Sequence, residues 1–300
     1  MKILDINSEE KVNNTIVTVG KFDGVHKGHE KLISVMKEKA DGRKTAVLSF
    51  GFMPRAFLEH TNAKTIVTEV EKRLICEKLG VDIYIQMPMT EEFLALTPDE
   101  FISQILKDKL GATAIVSGPD FHFGKNAEGN IDFLKANAEK YDYEPIVIEK
   151  EKYHDVDISS TDIRNKIAEG NMSEVNEMLG HPYTITGRVE EGKRLGSRIG
   201  IATANIYPED TKLLPPNGVY KTVAVIGEAR HDAITNVGVN PTVEENAKMK
   251  TETHLLEFDK PLYDDIMEIE FYEFVRPEKK FDSVDELKAQ IEKDIKGIRK

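Results

Sequence analysis

Thiols are almost missing from this chain: among its 300 residues only Cys76 is a cysteine. One cysteine excludes an intrachain disulfide and every metal site built on several thiolates. It lies in EKRLICEKLG, on the apolar side of an expected helix, so a buried structural thiol is expected rather than a nucleophile. Tryptophan is absent altogether, which by itself excludes nothing. No apolar run approaches the length of a bilayer span, since stretches such as TAVLSFGFM stop far short. The N-terminal MKILDINSEEK lacks the apolar core of a signal peptide. A cytoplasmic protein without a membrane partner is the expectation. Positive charge is also short, with 41 Lys and Arg against 53 Asp and Glu and a net charge of -12 at pH 7. That balance opposes general affinity for a nucleic-acid backbone. It leaves room for a small polyanion, which backbone N–H groups and two or three local cations can hold.

Hydrophobic residues make up 40% and charged residues 31%, the mixture of a globular protein with enough chain for two domains. The first half alternates short β-rich runs (TIVTV, TAVLSF, DIYIQM, TAIVSG and EPIVIE) with segments of helical spacing. Leu32, Ile33, Val35 and Met36 form one apolar stripe, and Val70, Leu74, Ile75 and Leu79 are expected to form another. Thr68 with Glu71, and Thr97 with Pro98 and Glu100, fit capping boxes that open helices. Strands followed by covering helices imply a mostly parallel sheet, with ligands at the carboxyl ends of its strands. After about Leu179 the period changes to two, in YTITGRV, VYKTVAVIG, DAITNVGV, TETHLLEF and MEIEFYEFV. This reads as a compact antiparallel barrel or sandwich. A closing helix follows, with Ser283 as N-cap, Glu286 three residues on, and Leu287, Ile291 and Ile295 on one side. Domains are expected over 1–180 and 183–300.

The stretch GKFDGVHKGHEKL joins the first buried strand to a helix. Gly20, Gly24 and Gly28 allow a sharp turn or a close approach of the backbone to a ligand. His26 and His29 fall on one side of the first helical turn, where unpaired N–H groups and the positive helix end favour an anion. Imidazoles there can donate to phosphate oxygens on which charge develops during phosphoryl or nucleotidyl transfer. A metal pair and plain surface histidines are the competing readings. DISSTDIR offers two serines, Ser159 and Ser160, then Thr161 and Arg164 at a helix start, with Ser160 or Thr161 the N-cap. Taken singly these are an N-cap and its neighbours, whereas together they make a second phosphate clamp. GPDFHFG sets Asp120 and Phe121 in a glycine-bounded loop, fitting either core packing or a flat aromatic ligand. In GIATANIYP, Thr203 and Asn205 offer neutral oxygens suited to Mg²⁺, or are ordinary turn residues. Glu252 in TETHLLEF, taken alone, reads as part of an acidic strand face.

GKFDGVHKGH resembles the His-x-Gly-His signature of the nucleotidyltransferase superfamily, in the form used by the bacterial bifunctional riboflavin kinase/FMN adenylyltransferases. GPDFHFG, ISSTDIR, GIATAN, LLPPNGVY, NVGVNPT and ETHLLEF follow in that family's order and spacing. The resemblance implies an α/β fold, with a Rossmann-like nucleotidyltransferase domain and parallel sheet, then an antiparallel β-barrel with a closing helix. It implies transfer of AMP from ATP to FMN to make FAD, and ATP-dependent phosphorylation of riboflavin to FMN in the second half. By resemblance, His26, His29 and Arg164 meet the ATP phosphates, together with Gly20, Phe22, Asp23, Gly24, Gly28, Ser159 and Thr161. Asp120 and Phe121 belong to the FMN pocket. Thr203 and Asn205 carry Mg·ATP, and Glu252 is the base for the riboflavin 5′-hydroxyl, with Glu257 a poorer choice. The implied partners are small nucleotides and flavins, with no nucleic acid, and a monomer is favoured.

The chain departs from the family in places. Where the family reads Gly-Arg-Thr-Leu-Gly-Phe-Pro-Thr-Ala-Asn, Ser197 replaces arginine, Ile201 phenylalanine and Ala202 proline. Glu191 and Leu195 stand where a histidine and an arginine are common. Phe52 and Met53 replace a proline and a histidine, and Ala127 an arginine. An adenylyltransferase with a degenerate kinase half is therefore one alternative. A flavin-binding regulatory protein without turnover is another.

Overall fold

The computed structural model describes residues 1–51, 64–88, 90–190, 201–239, 249–258, 262 and 264–298. Phe52, Met53, Glu191, Leu195 and Ser197, five of the departures, lie outside the described residues. The chain forms two compact units, Met1–Ser160 and Thr161–Lys300.

In the six-stranded sheet of the first unit every strand pair is parallel, in the order β1 (Lys2–Asp5), β4 (Ile83–Met87), β3 (Lys44–Phe50), β2 (Thr15–Gly20), β5 (Ala112–Ser117) and β6 (Glu144–Val147). TIVTVG is buried at every position but its last, as a central strand covered on both faces requires. KILD was not expected as a strand; three of its four residues are exposed because it pairs along one side only. From β2, the strands β3 and β4 extend one way and β5 and β6 the other. The crevice at the carboxyl ends of β2 and β5 is therefore the switch point where such sheets bind ligands.

Helix α1 (Lys27–Glu38) follows β2 and buries Ile33 and Met36, two residues of the expected stripe. Helix α2 (Glu69–Lys78) starts at the expected Thr68–Glu71 capping box, and Thr97 with Glu100 forms the other. The apolar stripe expected on α2 needs correction. Val70 is 50% exposed, and the buried residues are Glu71, Lys72 and Cys76. The first turn of this helix meets polar side chains: Glu71 is spent on the cap, Lys72 reaches Ser49 Oγ at 3.0 Å, and Glu69 accepts from the Tyr84 hydroxyl. Burial pushes the Cys76 thiol up to about 12, which fits an inert structural thiol.

Two helices, α3 (Ser160–Glu169) and α4 (Met172–Leu179), precede the second sheet, and Gly180 ends α4 at φ 85°. The six antiparallel strands run in the order β10 (Ala204–Ile206), β13 (Met249–Leu255), β12 (Ala229–Val239), β11 (Gly218–Ile226), β14 (Ile266–Arg276) and β9 (Tyr183–Arg188). The sheet curls into a half-barrel, in which a single bridge between Glu190 and Asn205 links the β9 and β10 edges among the described residues. With three residues, β10 is too short to pair along β9. Inside, the hydroxyls of Thr222, Thr235 and Thr253 satisfy one another across three strands at 2.8 and 2.9 Å. Helix α5 (Val284–Ile298) closes the unit, with Ser283 Oγ accepting from Glu286 N at 3.2 Å. Strands β7 (Lys152–Tyr153) and β8 (Val156–Asp157) form a small hairpin in the first unit.

Candidate active sites

The turn after β2 is unusual backbone. Phe22, Gly24 and Val25 have φ of 49°, 90° and 43°, and a β-branched residue in that region is a genuine outlier. Such strain persists only where surroundings over-determine it. Here Phe22 and Val25 are buried, Asp23 Oδ1 accepts from Ile66 N at 2.8 Å, and Asp23 O accepts from Ser160 Oγ at 2.9 Å. Ser49 Oγ donates to Lys21 O at 3.4 Å. Asp23 therefore spends its carboxylate on holding the turn.

The pinned turn delivers His26 as the N-cap of α1 with extended backbone and no side-chain cap bond. Its imidazole lies over that of His29 instead, with ring centroids 3.8 Å apart, and Phe22 approaches His29 at 4.7 Å. Gly28 makes the space: a Cβ there would sit 3.1 Å from His26 Cε1 and 3.2 Å from its Nδ1. Gly20 likewise clears the Phe22 ring, which a Cβ would meet at 3.2 Å. The His29 proton affinity is held well below the ordinary 6.5, first by burial, then by the charges of His26 and Lys72. At neutral pH His29 is a neutral imidazole, and its buried Nδ1 has no hydrogen-bond partner among the described residues. Two imidazoles in contact at a helix start, their planes tilted by 33°, make a ready donor pair for an anion.

The loop after β5 leaves the same carboxyl edge, since β5 pairs with β2. Phe121 stacks on Phe123 with centroids 5.2 Å apart and planes 18° apart, and Phe123 leads inward to Phe101 at 5.4 Å. Asp120 is exposed and pairs with Lys150 at 2.9 Å, a partner that sequence reasoning missed. Gly124 has φ 73°, and a Cβ there would meet Pro98 N at 2.8 Å, so only glycine fits. Ser159 is half-buried just before α3. Thr161 and Arg164, three apart and on one helix face, fall in the second compact unit, with Ile163 and Ile167 buried as expected.

In the curled sheet, Asn205 of β10 stands directly opposite Glu252 of β13, and Asn236 of β12 stands opposite Glu252 on its other side. Asn205 is buried, whereas Thr203 is exposed one residue before β10. Strand pairing thus brings the Asn205 amide and the Glu252 carboxylate together, whereas Thr203 lies outside the paired residues. Lys250 Nζ donates to Glu252 Oε1 at 2.6 Å, and His254 Nδ1 donates to Ala202 O at 2.8 Å. Neither contact was foreseen, although KTETHL places Lys250, Glu252 and His254 on one strand face. Glu257 lies in the turn beyond β13, at φ 57°, away from Asn205 in register.

Comparison with known proteins accords with this division. Residues 8–162 match the FAD synthetase family and residues 179–300 the riboflavin kinase family. The bifunctional riboflavin kinase/FMN adenylyltransferase of Listeria monocytogenes is 35% identical over 290 residues, covering 95% of this chain and 92% of the relative. That of Escherichia coli K12 is 33% identical over 291 residues, covering 96% and 92%. A solved protein of Streptococcus pneumoniae, described as a macrolide-efflux protein, superposes with TM-score 0.88 at 28% identity, covering 100% of this chain and 99% of that one. Among the described residues no helix is long and apolar enough to cross a membrane. A parallel α/β unit with a histidine pair at its switch point, followed by a curled β unit, defines a two-module nucleotide-handling enzyme. The chain belongs to the family of bifunctional riboflavin kinase/FMN adenylyltransferases.

Proposed function

We propose that the first unit adenylylates FMN and that the second phosphorylates riboflavin. The observation that carries the first activity is the close pair His26 and His29 at the start of α1, within a matched FAD synthetase region. A phosphate oxygen of FMN attacks the α-phosphorus of ATP, the bond to the β-phosphate breaks, and pyrophosphate leaves with FAD as product. No side chain has to form a covalent intermediate. His26 and His29 donate hydrogen bonds to phosphate oxygens as charge shifts along the reaction axis, and Arg164 with Ser159 and Thr161 grips the remaining phosphates. The turn Gly20–Gly24 sets the approach of the nucleotide, and Asp120 with Phe121 borders the flavin.

In the second unit the residues fit a hard cation. Asn205, opposite the Glu252 carboxylate in register, would supply a neutral oxygen, and Thr203 two residues earlier would supply another. Mg²⁺ held there with ATP would shield phosphate charge during transfer. Glu252 takes the proton of the riboflavin 5′-hydroxyl as that oxygen attacks the γ-phosphorus and ADP leaves. The test is chromatography of products from FMN, ATP and Mg²⁺. FAD is expected, and its absence at micromolar enzyme over hours would overturn the adenylyltransferase reading. His29→Ala is expected to slow FAD formation roughly 100-fold while the protein stays folded.

A further inference from the structure

Behind the histidine pair, the first turn of α2 buries a lysine that the mechanism above does not use. Lys72 is 4% exposed, and its amine donates to Ser49 Oγ at 3.0 Å. Ser49 is itself fully buried, stands opposite Gly20 in the β2–β3 register, and donates in turn to Lys21 O. The lysine thus reaches the backbone of the histidine-bearing turn through one hydroxyl. Its carboxylate neighbour, Glu69, is 3.4 Å away but is shared with Arg73 Nε at 3.5 Å and with the Tyr84 hydroxyl, which donates to it at 2.7 Å. Glu71, next to it, is occupied by the Thr68 amide at 2.8 Å. Burying an ammonium against so divided a counter-charge is unfavourable for stability alone.

We propose that Lys72 is a positioning residue for the reaction at the histidine pair: it anchors the turn through Ser49 and supplies a fixed positive potential beneath the imidazoles. This rests on the adenylyltransferase reading of that site. The charges that bear on His29 are those of His26, from the turn, and Lys72, from α2. Both disfavour an imidazolium, so Lys72 helps to keep His29 neutral, with a hydrogen to donate and no need to shed a proton before nucleotide binds. The same potential favours the phosphates of a nucleotide entering at the carboxyl end of β2.

Three variants separate the two roles. Lys72→Met removes both charge and tether, Ser49→Ala removes the tether alone, and Lys72→Arg keeps the charge. Two quantities are read on the full chain: the His29 titration by NMR of the ring protons, assigned with His29→Asn, and kcat and KM for FAD formation against pH. Lys72→Met is expected to move the His29 titration upward, toward 6.5. It should shift the acid limb of the rate profile the same way and lower kcat roughly tenfold. Ser49→Ala should lower kcat without moving the titration, and Lys72→Arg should leave the titration near that of the native protein. Riboflavin phosphorylation is read alongside, and should be unchanged in all three. An unmoved titration and an unmoved acid limb in Lys72→Met, with only a lower melting temperature, would make Lys72 a core staple and overturn the proposal. Should Lys72→Met fail to fold, Lys72→Gln carries the same comparison. A native protein that forms no FAD would overturn the reading of the site, while the titration would still judge the coupling between Lys72 and His29.

Discussion

One missing carbon at Gly28 decides where the His26 ring lies. Alanine is a better helix former than glycine by about 1 kcal/mol, and Gly28 sits in the first turn of α1. A Cβ would nevertheless press on the His26 imidazole, 3.1 Å from Cε1. Gly28→Ala is therefore expected to leave the thermal midpoint unchanged or higher while FAD formation falls roughly tenfold, because the ring is displaced from its donor position. Measuring both on one preparation checks this, and loss of stability in step with activity would contradict it. His29 adds a pH dependence with a definite sign. Its folded-state proton affinity lies below the unfolded 6.5, so its contribution to stability is full above about pH 6.5. As the pH falls from 6.5 toward the lowered folded value, the unfolded chain gains a proton the folded one refuses, and that contribution is lost. Thermal midpoints across pH 7 to 5 should fall less steeply in His29→Asn than in the native protein.

At the scale of the element, the two helices read least well from sequence show why a pattern of apolar residues is not a burial map. Val70 looked like part of a stripe on α2, yet it faces solvent while Lys72 and Glu71 are buried. Periodicity marks a face, but the partner across that face is set by other segments. On α2 that partner is polar: the Ser49 hydroxyl meets Lys72 and the Tyr84 hydroxyl meets Glu69. In α5 the fully buried residue is an acid, Asp294, whose Oδ2 accepts from Arg276 Nε at 2.8 Å. Gln290 donates to its other oxygen at 2.7 Å. Breaking a buried ion pair leaves its partner uncompensated, so Asp294→Ala should destabilise the second unit by about 3 kcal/mol. Urea unfolding followed by fluorescence of a probe on α5 measures it, and a change near zero would mean that apolar contacts alone hold the helix.

For the whole molecule the question is whether two sites work independently. Asn205, Thr203 and Glu252 lie in the second unit and the histidine pair lies in the first. Glu252→Gln should abolish FMN formation from riboflavin and leave FAD formation from FMN untouched, and His29→Ala should do the reverse. Starting separately from riboflavin and from FMN reads both. Turnover from FMN only, in the native protein, would favour the alternative in which Ile201, Ala202 and Ser197 have cost the kinase its activity. We retain 1–180 and 183–300 as the proposed functional division. Along the chain, α3 starts inside the first matched family region and α4 ends at the start of the second, and α4 buries Val175, Met178 and Leu179 while packing against β9 and β14.

The sequence alone determined the alternation of strands and helices in the first half beyond β1, the change to strands in the second, the caps at Thr68, Thr97 and Ser283, and the residue types of both sites. Those follow from local rules: side-chain period, capping chemistry and glycine at forced turns. It also showed His26 and His29 as neighbours, because three residues of helix bring them to one side. Strand order, and with it the crevice between β2 and β5, came only with the fold, since non-adjacent strands pair by contacts that no local window contains. The same holds for Asn205 opposite Glu252, which is a matter of register, and for the Lys250, Lys150 and Lys72 contacts. A lysine reads as solvated surface in sequence. Only packing reveals that Lys72 gives up water for a serine hydroxyl beneath the histidines, because burial is a property of what surrounds a residue and not of the residue itself.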